Sequence, residues 1–118
     1  MPRQTSPKDL MQSFVLLSIS GNAGEYQNVN FIDGSYTYLG YKLQNAFEYI
    51  LLDNIGSGLV RFTYNRPDYN ITTSVDGSKS LKSLDTIYFD EEIWHVRIYF
   101  EEASTVEILC KSLKDQNE

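Results

Sequence analysis

Ile93-Trp94-His95-Val96-Arg97-Ile98-Tyr99-Phe100 alternates by side-chain type. Trp94, Val96, Ile98 and Phe100 are apolar, with His95, Arg97 and Tyr99 standing between them. A period of two belongs to a strand, because successive side chains of a strand point to opposite faces. This reading turns the four apolar residues inward and puts His95 on the wetter face. Glu101-Glu102-Ala103-Ser104 then turns the chain, and Thr105 to Cys110 returns with Val106, Ile108 and Cys110 inward. The span 93–110 reads as a hairpin with one packed face.

The same grammar extends toward the N-terminus. Asp85 to Phe89 is a short run with Ile87 and Phe89 on one face, separated from Ile93 by Asp90-Glu91-Glu92. Residues 47–52 and 59–64 are strand-prone and flank Asp53-Asn54-Ile55-Gly56-Ser57-Gly58, whose Asn and Gly residues suit a turn. They read as a second hairpin, with Val60, Phe62 and Tyr64 sharing one face and Arg61 and Thr63 the other. Pro67 marks 65–70 as a loop, since proline donates nothing to a ladder. Asp76-Gly77 between 71–75 and 78–81 is a strong hairpin signal. Phe14 to Ile19 is a first strand. In 25–46, Tyr26, Val29, Phe31, Tyr36, Tyr38 and Tyr41 are strand-prone, with breaks at Gly34 and Gly40. One helical turn fits 7–12, with Ser6 as cap and Pro7 at the first position. The expected fold is all-β: a single antiparallel β-sandwich, jelly-roll or Ig-like, of about eight strands. Residues 1–12 read as a flexible arm, 13–111 as the sandwich and 112–118 as a disordered tail.

With 118 residues the chain fits one domain large enough to bury a core without staples. It holds 10 Lys+Arg against 16 Asp+Glu, a net charge of −6. Residues 1–83 carry seven acids and seven bases, and residues 84–118 carry nine acids and three bases, so the whole excess lies in the second segment. An acidic chain is poorly suited to nucleic acid, where affinity comes mainly from cations displacing counterions. No apolar run approaches the ~20 residues that span a bilayer. Phe14 to Ile19 is short for the apolar region of a signal peptide, so synthesis in the cytoplasm is expected. Asn70-Ile71-Thr72 is a formal glycosylation sequon, read here as part of a Thr-rich strand.

Candidates for chemistry are few. The chain has one His and one Cys, which leaves no intrachain disulfide and no structural zinc set. His95 has no nucleophile placed beside it, and Cys110 reads as a small buried hydrophobe. Asp90-Glu91-Glu92 and Glu101-Glu102 flank one strand about 30 Å apart, too far to share a calcium ion. Gly56-Ser57-Gly58 lacks the third glycine and helix of a phosphate loop and reads as a hairpin turn. No cofactor or metal is expected, and no enzyme. Tyrosine is abundant at nine residues. Tyr26, Tyr36, Tyr38 and Tyr41, with Leu10 and Met11 of the arm, are the candidate interface residues, because tyrosine offers contact area at low entropic cost.

One ordered pattern has a familiar counterpart. Tyr49-Ile50-Leu51-Leu52-Asp53-Asn54-Ile55-Gly56-Ser57-Gly58-Leu59-Val60-Arg61-Phe62-Thr63-Tyr64 is followed by Leu81-Lys82-Ser83-Leu84-Asp85-Thr86-Ile87, then by Ile93 to Phe100 and Thr105 to Cys110. Across 47–110 this resembles a β-sandwich module of tailed-phage virions, found in decoration, head-fibre, adaptor and tail-tip proteins. The resemblance implies a non-enzymatic virion protein, made in the host cytoplasm, that binds other virion proteins and forms homo-oligomers. A capsid decoration or cement protein is the first expectation. A neck, tail or baseplate component, or a carbohydrate- or receptor-binding sandwich, is the alternative.

Overall fold

The computed structural model describes residues 14–67 and 78–111. The arm with Leu10 and Met11, the helical turn at 7–12, the sequon, the Asp76-Gly77 hairpin and the tail lie outside the described residues. The described residues form ten strands: β1 (Phe14–Gly21), β2 (Tyr26–Asn30), β3 (Thr37–Tyr38), β4 (Tyr41–Lys42), β5 (Tyr49–Asn54), β6 (Val60–Tyr64), β7 (Lys79–Leu81), β8 (Thr86–Phe89), β9 (His95–Phe100) and β10 (Ser104–Lys111). Two four-stranded antiparallel sheets run β1-β10-β5-β8 and β2-β9-β6-β7, and β3-β4 forms a separate ribbon.

This order is a jelly roll. β1 pairs with β10, β2 with β9, β5 with β8 and β6 with β7. A folded-over ribbon of four strand pairs, wound between two sheets, produces that nesting. The inward residues alternate as a half-buried strand requires. Val15, Leu17 and Ile19 of β1, Ile50 and Leu52 of β5, and Val106, Ile108 and Cys110 of β10 meet Val60 and Phe62 of β6 and Val96, Ile98 and Phe100 of β9. Each such side chain contributes about 1.5–3 kcal/mol by leaving water.

Two expected hairpins are absent, and the reason is the same for both. β5 and β6 lie in opposite sheets, as do β9 and β10. Strand-to-strand hydrogen bonds run from β5 to β10 and β8, and from β6 to β9 and β7. Along the eight long strands only the step from β6 to β7 stays within one sheet. A short polar turn closes a hairpin or crosses the ~10 Å between packed sheets equally well.

Asn54 makes the crossing. Its side chain is fully buried at the end of β5. Nδ2 donates to the carbonyls of Gly58 (2.8 Å) and Leu81 (2.9 Å). Oδ1 accepts from the Ser104 hydroxyl (2.6 Å) and the Gly56 N–H (3.3 Å). One amide thus ties the β5–β6 turn to the end of β7 and the start of β10. Gly56 and Gly58 are required by this crossing. A Cβ on Gly56 would lie 2.3 Å from Ser104 Oγ, and one on Gly58 would lie 2.4 Å from the Ala103 carbonyl.

Along 93–100 the inward phase holds at Val96, Ile98 and Phe100 and departs from expectation only at its start. Ile93, not Trp94, is fully buried, and it bridges to Phe47 before β9 begins. Trp94 is half-buried. Asn65, held at φ 56°, grips the backbone at this point. Its Oδ1 accepts from the N–H groups of Trp94 (2.9 Å) and His95 (3.3 Å), and its Nδ2 donates to the Glu92 carbonyl (2.9 Å). His95 stands on the side of β9 away from the core, as its phase demands, yet it is buried rather than wet. Arg61 and Thr63, on the corresponding side of β6, are buried too.

Candidate binding surface

The four candidate tyrosines do not form one patch. Tyr38 and Tyr41 face each other across the β3–β4 ribbon, whose ladder continues through the Gly34–Leu43 and Leu43–Tyr36 backbone bonds. Leu43 is buried and anchors the ribbon, with Tyr36 and Tyr38 packed against the core. The Tyr36 hydroxyl donates to the Asn28 carbonyl (3.0 Å), and burial raises its pKa. Tyr36 and Tyr38 therefore hold the ribbon down, and Tyr41 is exposed.

The ribbon's tip is the two-residue turn Leu39-Gly40, with φ of 54° and 86°. Positive φ at both positions is the signature of a type I′ turn, which favours Asn-Gly. Leucine in the left-handed region costs about 1–2 kcal/mol. Leu39 is nevertheless 61% exposed, so burial among the described residues does little to offset that strain. Sequence reasoning passed over this residue. The available signal was a Leu-Gly pair between Thr37-Tyr38 and Tyr41-Lys42, the spacing of a tight hairpin.

Tyr26 belongs to a second surface, the outward side of the β2-β9-β6-β7 sheet. There Tyr26 pairs with Tyr99, and Tyr99 with Arg61; one step along, Asn28 pairs with Arg97 and Arg97 with Thr63. The Arg97 guanidinium lies 5.3 Å from the Tyr26 ring centre, and that of Arg61 lies 4.9 Å from Tyr99. Cations over aromatic faces are attracted by the ring quadrupole. Arg61 also pairs with Glu101 (3.2 Å) and donates to Ser78 (3.1 Å). The result is a tyrosine–arginine lattice with half-exposed Tyr26 at its edge.

His95 continues this face. Burial lowers its pKa, the nearby Arg97 lowers it further, and Asp33 opposes both. Asp33 itself is held low by the hydroxyl and N–H of Ser35. Cys110 sits in the core, where burial pushes its thiol far above the ordinary range. The two groups with catalytic chemistry thus lie in different sheets on different sides, one against the solvent-side lattice and one in the core. The acidic turns at the two ends of β9 are engaged locally: Glu91 accepts from the Tyr64 hydroxyl, and Glu102 accepts from the Leu59 N–H. Among the described residues, no three His, Cys, Asp or Glu side chains group as metal ligands. A depression of about 250 Å³ is lined by Phe62, Thr63, Tyr64, Arg66 and Lys79.

No known protein family and no curated protein matches the sequence. The fold is similar to that of SPY1581, a conserved protein of unknown function from Streptococcus pyogenes. That likeness has a TM-score of 0.53 and 13% identity over 88% of this chain and 68% of the other. A part of Streptomyces albus HEPD, whose structure holds 2-hydroxyethylphosphonate and Fe(II), is similar at TM-score 0.50 and 14% identity. It covers 85% of this chain and 18% of that enzyme. The tobacco streak virus coat protein is similar at TM-score 0.38 and 9% identity, over 96% of this chain and 94% of that one. At these identities the first two likenesses concern the fold alone, and the third, at its TM-score, carries no argument. The chain folds as an all-β jelly roll.

Proposed function

We propose that the protein is a non-enzymatic structural component of a tailed-phage virion, a capsid decoration or cement protein that attaches to neighbouring virion proteins. The carrying observation is Leu39, an exposed apolar residue held in a strained turn at the tip of a core-anchored ribbon. Local strain kept at an exposed point is a pointer to use, and an apolar slot on a neighbouring protein would bury the side chain. The sequence pattern over 47–110 supports the virion reading, and capsid proteins are one established use of jelly rolls. Residues 1–12, with Leu10 and Met11, serve in this proposal as a second attachment, an arm that orders on contact.

Particles freed of the protein and offered limiting amounts of it provide the test. Leu39→Asp is expected to reduce occupancy at least tenfold while leaving the melting temperature within two or three degrees. Deleting residues 2–12 is expected to weaken occupancy too. Wild-type occupancy for both variants, or absence of the protein from purified particles by mass spectrometry, would refute the proposal. A carbohydrate-binding reading has one observation in its favour: Tyr26, half-exposed beside Arg97 and Asn28, offers a stacking face with polar neighbours. Binding on a glycan array that Tyr26→Ala abolishes would favour it.

A further inference from the structure

The outward side of the β1-β10-β5-β8 sheet carries a feature that neither the ribbon nor the tyrosine–arginine lattice uses. The register places Leu16, Leu109, Leu51 and Tyr88 opposite one another in a single row across all four strands. Their parity is opposite to that of Val15, Ile108, Ile50 and Phe89, which are buried, so the row points to solvent. Leu16 is 42% and Tyr88 62% exposed. An apolar row spanning a whole sheet is unusual for a face that ends in water.

The rows on either side differ in charge. Two residues along the strands in one direction lie Lys111 and Tyr49, paired with each other. Two residues along in the other direction lie Ser18, Glu107, Asp53 and Thr86. One flank carries Lys111 and Tyr49, with the exposed Asp90 just past the end of β8, and the other is anionic and hydroxylic along its two central strands.

We infer that this face is a self-association surface, covered by the same face of a second copy related by a two-fold axis lying along the apolar row. Such an axis superposes row on row and reverses the strand direction. Lys111 then faces Glu107 of the partner subunit, and Tyr49 faces Asp53 of the partner subunit, each contact occurring twice. The other two-fold that stacks the apolar rows runs along the strands. It places Glu107 over Asp53 of the partner subunit, and like charges in contact are costly. Charge therefore selects the first arrangement, an isologous, self-complementary interface. Two sheets stacked face to face lie about 10 Å apart, the spacing of a sandwich core. Four strands about 4.8 Å apart give a face roughly 20 Å square, on the order of 400 Å² per subunit. The roughly 800 Å² buried in total lies below the ~1,200 Å² of stable specific interfaces and in the range of weak contacts, so association is expected only at high concentration.

Sedimentation equilibrium of the full chain, from about 10 µM to about 1 mM, tests the inference. A monomer–dimer equilibrium that weakens with added salt is expected. Leu16→Glu should abolish it. Lys111→Glu and Glu107→Lys should each weaken it at least tenfold, and the double swap should restore it to within threefold of wild type. Thermal melts of each variant confirm that it is folded. Strengthening by Glu107→Lys alone would point to the other axis and overturn the arrangement. A monomer at every concentration would overturn the surface. So would dimerisation that appears only after residues 2–12 are deleted, which would make the chain's own N-terminal segment the occupant.

Discussion

Replacing Asn54 by alanine is expected to be the most damaging polar substitution in the molecule. The change removes two donors and one shared acceptor from a site sealed from solvent. The carbonyls of Gly58 and Leu81 lose the Asn54 amide, and the Ser104 hydroxyl loses its acceptor. The Gly56 N–H keeps the Thr105 carbonyl at 3.1 Å. Each buried group left without a partner costs about 1–3 kcal/mol, so three of them predict a loss of roughly 3–9 kcal/mol. Against a total near 5–15 kcal/mol this is a large share. Urea unfolding followed by tryptophan fluorescence measures it. Asn54→Asp keeps the shape and loses the donors, turning a carboxylate toward two carbonyl oxygens. The protonated acid restores one donor, so the new carboxyl should have a folded-state pKa above its unfolded value of about 3.9. The native state then binds more protons than the unfolded state, and stability falls as pH rises through the folded-state pKa. Asn54→Asp should accordingly be rescued in part by acid, relative to Asn54→Ala. A loss below 1 kcal/mol for Asn54→Ala, or parallel pH profiles for the two variants, would refute the account of the crossing.

Three further outcomes are expected. Phe100→Ala, which empties a fully buried site against Gly21, should cost about 3–5 kcal/mol in the same titration. His95 has a folded-state pKa below its unfolded value, so its contribution is complete above about pH 6.5 and is lost as pH falls through the lowered value. His95→Gln should flatten the stability profile on the acid side of pH 6.5. Leu84, 79% exposed at φ 67°, should gain about 0.5–1 kcal/mol on replacement by glycine, seen as a raised melting temperature.

Leu39 shows how a site escapes a sequence reading. Tyrosine is conspicuous by type, which groups Tyr26, Tyr36, Tyr38 and Tyr41 together in the sequence. Leu39 is a common residue, marked by a backbone conformation it shares with Leu84 and by its own position beyond the anchored part of the ribbon. Tyr36 and Tyr38 are diverted to packing by the buried Leu43 next to them. His95 was misjudged for a related reason. Alternation shows which way a side chain points, and it does not show whether something covers it.

What the sequence determined alone is whatever depends on neighbours along the chain. The period of two identified most strands and the inward residues Val60, Phe62, Val106, Ile108 and Cys110, because pleat geometry is local. The single His and single Cys limit the chemistry whatever the fold. The choice of sheet for each strand depended on the tertiary structure. Phe14 pairs with Lys111 and Asn54 meets Leu81, contacts between residues far apart in the chain whose register no local pattern encodes. The apolar row Leu16-Leu109-Leu51-Tyr88 comes from three such pairings at once. In sequence it is four scattered residues, and only hydrogen bonding across the sheet makes it a surface.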